Sequence, residues 1–172
     1  VKRGDKWGFI DTTGHVVIEP AWDWAEGFSG GLAAVNRGGA VVDSWQGEGV
    51  SILDGNQTLI GGTWGFIDRA GRIVIEPQWD EAQRFSGGLG WVRGGDKWSL
   101  IDTTGRIVIN PQWDDVREFS AGLAWVATRG RWGFVDATGS LVVGLQWDGV
   151  RSFSSGLAWV ATRGRWGFID TT

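Results

Sequence analysis

Short runs of alternating apolar residues recur along this chain, and their alternation predicts strands. In the run from Arg165 to Asp170, Trp166 and Phe168 share one side of an extended strand and Ile169 takes the other. The run before it, Leu157 to Thr162, is rich in β-branched and aromatic residues and is joined to it by Arg163-Gly164, a hairpin signal. The same pair of runs lies upstream at Leu123 to Thr128 and Arg131 to Asp136. A third run follows such pairs, as in Arg106 to Ile109 after Asp102-Thr103-Thr104-Gly105, where Asp and Gly suit a type I turn. Three strands in chain order predict an antiparallel meander. Ile107 and Ile109 oppose Val108, so both faces of each meander read as apolar, and each must be covered by a neighbour.

Pro20, Pro77 and Pro111 are expected to end the third strand, because proline lacks the ladder donor. A linker of about ten residues opening on Trp-Asp follows, with a short helical turn as its expected form.

The pattern is periodic. Trp64, Trp98, Trp132 and Trp166 stand 34 residues apart, and a fixed period of this size marks a repeat architecture. The step from Trp7 to Trp64 is 57 residues, 23 more than the others, which places an insertion at about 38–62. Its apolar runs and the Asp54-Gly55-Asn56 turn signal predict a hairpin excursion between first and second strands. Residues 1–172 therefore read as a single array with partial repeats at both ends.

Several words recur in fixed order: Trp7-Gly8-Phe9-Ile10-Asp11, Thr12-Thr13-Gly14, Val16-Val17-Ile18-Glu19-Pro20, Trp22-Asp23 and Phe28-Ser29, then Gly31-Leu32-Ala33. Together they resemble the WG beta-repeat, also called the KWG repeat, of many bacterial proteins. The sequence departs from the pattern at Ser99, where a Gly is expected after Trp98. It departs again at Gly144-Leu145, which replaces the Glu-Pro or Asn-Pro of other copies. The resemblance implies a repeat scaffold, often joined to other domains, and gives no catalytic residues and no ligand to carry over.

Composition supports a packed array. Fourteen Trp and 30 Gly accompany no Cys, Met or Tyr, so Gly marks the turns and Trp fills the core, and thiolate chemistry is excluded. No apolar run approaches the roughly 18 residues of a membrane-spanning helix. The net charge of −4 argues against broad affinity for nucleic acid. Basic residues nevertheless gather at one repeat position, before the Trp-Gly strand, as Lys2, Arg3, Lys6, Arg93, Lys97, Arg129, Arg131, Arg163 and Arg165. Stacked repeats would align them as a stripe.

The chain begins and ends on a second strand, which favours an open superhelical or solenoid array over the alternative, a β-propeller-like ring. The unpaired terminal strands would invite end-to-end self-association. The sequence reads as a piece of a larger bacterial protein.

Candidate chemistry is sparse. His15 is the single histidine, at a turn position shared with Arg72, Arg106 and Ser140, so neither a triad nor a histidine metal site is expected. Asp11, Asp68, Asp102, Asp136 and Asp170 precede Gly turns and read as turn caps. Arg3-Gly4-Asp5 matches an adhesion tripeptide but shares its position with Gly95-Asp96, and Asn56-Gln57-Thr58 reads as a loop.

Two sets remain as candidate binding residues. The Trp-Asp pairs Trp22-Asp23, Trp79-Asp80, Trp113-Asp114 and Trp147-Asp148 could hold sugars or cap turns. Trp91, Trp125 and Trp159 share one strand position, which Ala34 takes in the first unit, and would line a groove if exposed or join the core if buried. The expected function is a non-enzymatic scaffold for a protein partner, needing no cofactor or metal. A carbohydrate-binding module at the Trp-Asp pairs is the alternative.

Overall fold

A computed structural model describes residues 1–43, 51–52, 57–117, 119, 122–154 and 157–170. It is all-β, with no helix among the described residues. It divides into two compact units, Val1–Phe85 with Thr103–Gly105, and Ser86–Asp102 with Arg106–Thr172.

In the first unit, β1 (Lys2–Arg3), β2 (Lys6–Ile10) and β3 (Val16–Trp22) form one antiparallel sheet. Next come β4 (Trp24–Ala25), β5 (Ala33–Asp43), β6 (Ser51–Ile52), β7 (Gln57–Ile67) and β8 (Ile73–Trp79). They pair in the order β4-β5-β7-β6, with β8 also on β7, and β9 (Glu81–Ala82) follows. The insertion is a hairpin extension, as its pattern predicts: β5 and β7 pair from Ala33↔Ile67 out to Asp43↔Gln57. The Asp54-Gly55-Asn56 signal lies outside the described residues.

In the second unit, β10 (Leu89–Gly94), β11 (Lys97–Asp102) and β12 (Ile107–Trp113) pair in sequence. A four-stranded sheet follows in the order β13 (Asp115–Val116), β14 (Leu123–Thr128), β15 (Arg131–Asp136) and β16 (Leu141–Trp147). The last sheet is β17 (Gly149–Ser154), β18 (Leu157–Thr162) and β19 (Arg165–Asp170). Among the described residues no sheet closes into a barrel, in keeping with an open repeat array.

Two sequence expectations are corrected. The third strand does not stop at proline: β3, β8 and β12 run through Pro20, Pro77 and Pro111 to the following Trp. In β3 the register passes from Phe9↔Ile18 to Trp7↔Trp22, so three residues oppose Gly8 alone. The missing proline donor falls in this bulge, where no ladder bond is lost. Among the described residues the Trp-Asp linker also forms no helical turn; β4, β13 and β17 are strands on the edge of the following hairpin.

The same bulge explains the Gly of Trp-Gly. A Cβ on Gly65 would stand 2.5 Å from the Ile75 carbonyl oxygen and 2.6 Å from the Pro77 nitrogen, closer than atoms can pack. Gly8 and Gly133 meet the bulged strand in the same way. A second irregularity falls between Phe9 and Ile10 and recurs in the later copies. It breaks the alternation of the third strand, so Ile107 and Val108 are both exposed while Ile109 is buried, rather than lying on two covered faces. In β11 the second strand does bury both faces: Trp98, Ser99, Leu100 and Ile101 are all buried.

The core repeats one arrangement. Phe9, Ile18 and Trp22 of the first sheet pack on Ala33, Val35 and Ile67 of the next. Trp91, Trp98, Leu100 and Ile109 pack with Ala124, Val126 and Val135. Trp125, Trp132, Phe134 and Val143 pack with Ala158, Val160 and Ile169. Each sheet in these clusters offers a face of large side chains to a face of Ala, Val and Ile on the sheet after it. Period-two alternation on both hairpin strands produces the two faces. Each buried Trp removes about 150 to 250 Å² from water, which makes these rings the main cohesive contribution.

Candidate functional site

The Trp-Asp carboxylates bridge successive hairpins. Asp114 Oδ2 accepts from the Arg129 backbone N–H at 2.6 Å, and Asp148 Oδ2 from that of Arg163 at 2.5 Å. Asp23 Oδ2 accepts from the Gly38 N–H at 2.8 Å. Each of these aspartates thus caps the turn of the hairpin that follows. Its other oxygen meets the basic residue at the start of the preceding second strand: Lys6 with Asp23 at 2.5 Å, Lys97 with Asp114, and Arg131 with Asp148. The Lys97 hydrogen bond, reinforced by the Arg129 amide, holds the Asp114 carboxyl below the usual carboxylate range. At Asp23 partial burial acts upward, but the Lys6 and Gly38 hydrogen bonds outweigh it and the carboxyl is lowered.

The second row of aspartates holds the next turn. Asp68 Oδ1 accepts from the Ala70 and Arg72 amides, both at 2.9 Å, and Asp136 Oδ1 accepts from the Thr138 and Ser140 amides. Asp11 does the same toward Thr13 and His15, and the Thr13 hydroxyl bond is the chief reason its carboxyl is lowered.

The candidate tryptophans divide by exposure. Trp22, Trp91, Trp113 and Trp125 are buried, and Trp79 and Trp147 are half-buried. The indole N–H groups of Trp79, Trp91, Trp113 and Trp147 are also buried, with no acceptor among the described residues. These four rings therefore have no indole N–H to offer a ligand. Trp159 differs, at 42% exposed against 5% for Trp125. Asp80 stands beside Trp79 at the head of β9 and is engaged within the structure.

The sequence marks Arg129-Gly130 and Arg163-Gly164 as hairpin turns and places both arginines at the basic repeat position; what it does not show is their backbone conformation. Among the described residues, Arg129 and Arg163 are the non-glycine ones with left-handed backbone, at φ 50° and 49°, each followed by a Gly that also has positive φ. Two such central residues make the type I′ turn that suits a tight hairpin. An L side chain in that region costs about 1 to 2 kcal/mol. Both arginines are exposed, and their guanidinium groups have no partner among the described residues. The equivalent turns at Gly4-Asp5 and Gly95-Asp96 place a glycine there instead, at φ 62° and 68°. The caps were findable in the sequence, since Asp23, Asp114 and Asp148 each precede the turn residue by 15 positions.

Bulged third strands, a Gly or, in β11, Ser99 beneath each bulge, and sheets stacked large face to small face define a tandem β-repeat protein. The family model described as WG containing repeat matches residues 7–39, 64–98, 98–132 and 132–166, and the chain belongs to this family. No curated protein and no solved structure matches it.

Proposed function

We propose that the chain is a non-enzymatic scaffold whose Arg-Gly hairpin tips dock an acidic segment of a protein partner. The single observation that carries this reading is the pair of strained, exposed arginines at one repeat position. Glycine, which stands at that position in two other repeats, would fit without strain, and strain kept at a surface turn points to use of the side chain. Arginine supplies a planar fork that binds carboxylates in pairs. Asp114 and Asp148 sit at the bases of the same tips. They would weaken attraction for a densely charged polyanion, so a protein carboxylate suits these tips better than nucleic acid.

The carbohydrate alternative has less support. Trp22 and Trp113 are buried, and the carboxylates of Asp23, Asp114 and Asp148 already serve as turn caps.

The test is fluorescence anisotropy with a labelled peptide of alternating Asp and Glu, against the wild type and the Arg129→Gly, Arg163→Gly double variant. The expected result is salt-sensitive binding to the wild type, lost in the variant, while the variant's Tm rises because the strain is relieved. Binding unchanged in the variant, or absent from the wild type, would contradict the proposal.

A further inference from the structure

The two arginine tips are held in register by the hairpins beneath them. Arg129 and Arg163 both lie in the second unit, on sheets that stack directly, Trp125 and Phe134 of one packing on Ala158 and Val160 of the next. One carboxylate ties the two hairpins together at their tip ends. Asp148 accepts from the Arg131 guanidinium, beside the first tip, and from the Arg163 backbone N–H of the second at 2.5 Å. Stacked sheets lie about 10 Å apart, so the two tips stand at about that separation.

The two side chains also leave the backbone alike. Their φ angles are 50° and 49°, each precedes a left-handed glycine, and each has its amide held by the aspartate 15 residues before it. Matching turns repeated by stacking send their Cα–Cβ bonds the same way. The tip before them in the same unit is different. Gly95 takes the turn position there, and Arg93 donates to the Gly95 carbonyl at 3.2 Å, with its guanidinium 6.0 Å from the Trp98 ring centroid. Arg129 and Arg163 thus form a two-pronged basic site.

We infer that this site takes a polyproline II segment with Asp or Glu at every third position, whose carboxylates meet the two prongs; this rests on the reading of the tips as a dock for an acidic segment. Polyproline II has three residues per turn and rises about 3.1 Å per residue, so acids three apart stand on one side at about 9 Å. Other local forms miss the spacing. Same-side neighbours on a strand are about 7 Å apart, and those on adjacent helical turns about 5 to 6 Å. A helix reaches about 10.5 Å only over seven residues. The polyproline form is also preformed, so binding orders it at little entropic cost.

Fluorescence anisotropy with labelled proline peptides of equal length tests this. Two Asp are set two, three or four residues apart, beside a single-Asp peptide and the alternating Asp-Glu peptide. The three-residue spacing should bind about fivefold tighter than the other two, the contribution of one further exposed ion pair. Arg129→Gly or Arg163→Gly alone should erase that advantage; Gly95 already fits this turn, so both variants should fold. Equal affinity at every spacing, or an advantage that survives either variant, overturns the polyproline assignment and leaves the acidic dock standing. Tighter binding of a helical peptide with acids seven residues apart does the same. An alternating Asp-Glu peptide that fails to bind removes the acidic dock itself, and the assignment with it.

Discussion

The sheet β13 to β16 and the sheet β17 to β19 carry almost the same hairpin, yet their side chains have different fates. Trp125 and Phe134 are buried, while Trp159 and Phe168 are exposed. A Cβ on Gly133 would meet the backbone of Val143 and Gly144, whereas one on Gly167 would meet nothing within 4 Å. The difference lies in neighbours and not in local sequence. The earlier hairpin has a bulged third strand beside it and a covering sheet against its large face; the later one has neither among the described residues. A Trp-Gly strand is therefore half of a structure, completed by the third strand and by the next repeat.

Substitutions at paired positions should reproduce that contrast. Trp125→Ala removes a ring packed among Phe134, Ala158 and Val160 and should cost about 3 to 5 kcal/mol in denaturant unfolding. Trp159→Ala should cost clearly less, about 1 to 2 kcal/mol, because the ring is 42% exposed. Equal losses would break the comparison. A smaller contrast is expected at the glycines. Gly133→Ala forces the bulge apart and should lower stability by about 1 to 3 kcal/mol, while Gly167→Ala should change it by no more than about 0.5 kcal/mol.

The turn caps should be felt less. Asp114→Asn keeps the size of the cap but removes its charge, and should cost about 1 kcal/mol at neutral pH, the pair being partly exposed. The folded-state pKa of Asp114 is lowered, so its stabilisation is present above the ordinary aspartate range and is lost as pH falls through the folded value. Thermal unfolding from pH 7 down to pH 2 should therefore bring wild type and Asp114→Asn closer together at the acid end. A gap that widens on acidification would contradict the cap. The smallest effect runs the other way. Ser99 stands in β11 where other repeats have Gly, and its buried hydroxyl has no partner among the described residues. Ser99→Gly should raise stability by about 1 kcal/mol, the gain from removing that group exceeding the entropic cost of glycine.

The period of Trp64, Trp98, Trp132 and Trp166, the hairpins and the inserted excursion were legible because strand alternation and turn residues are local signals. The passage of β12 through Pro111 was not, because it depends on Ser99 and its glycine counterparts lying opposite a bulge, a relation between strands. For the same reason alternation alone puts Val108 on a covered face, whereas it is exposed. In the sequence the Trp-Asp carboxylates suit binding sites and turn caps alike, because the bond that decides between them, from the Arg129 amide to Asp114, spans 15 residues. Exposure of Trp159 could not be read from a segment nearly identical to that of Trp125, since cover comes from another repeat.

The most direct test is residue-resolved hydroxyl-radical footprinting of the chain at high dilution. If each large face is completed by the sheet after it, Trp159, Trp166 and Phe168 will be modified far faster than Trp91, Trp125 and Phe134. Equal rates at Trp125 and Trp159 would contradict the account.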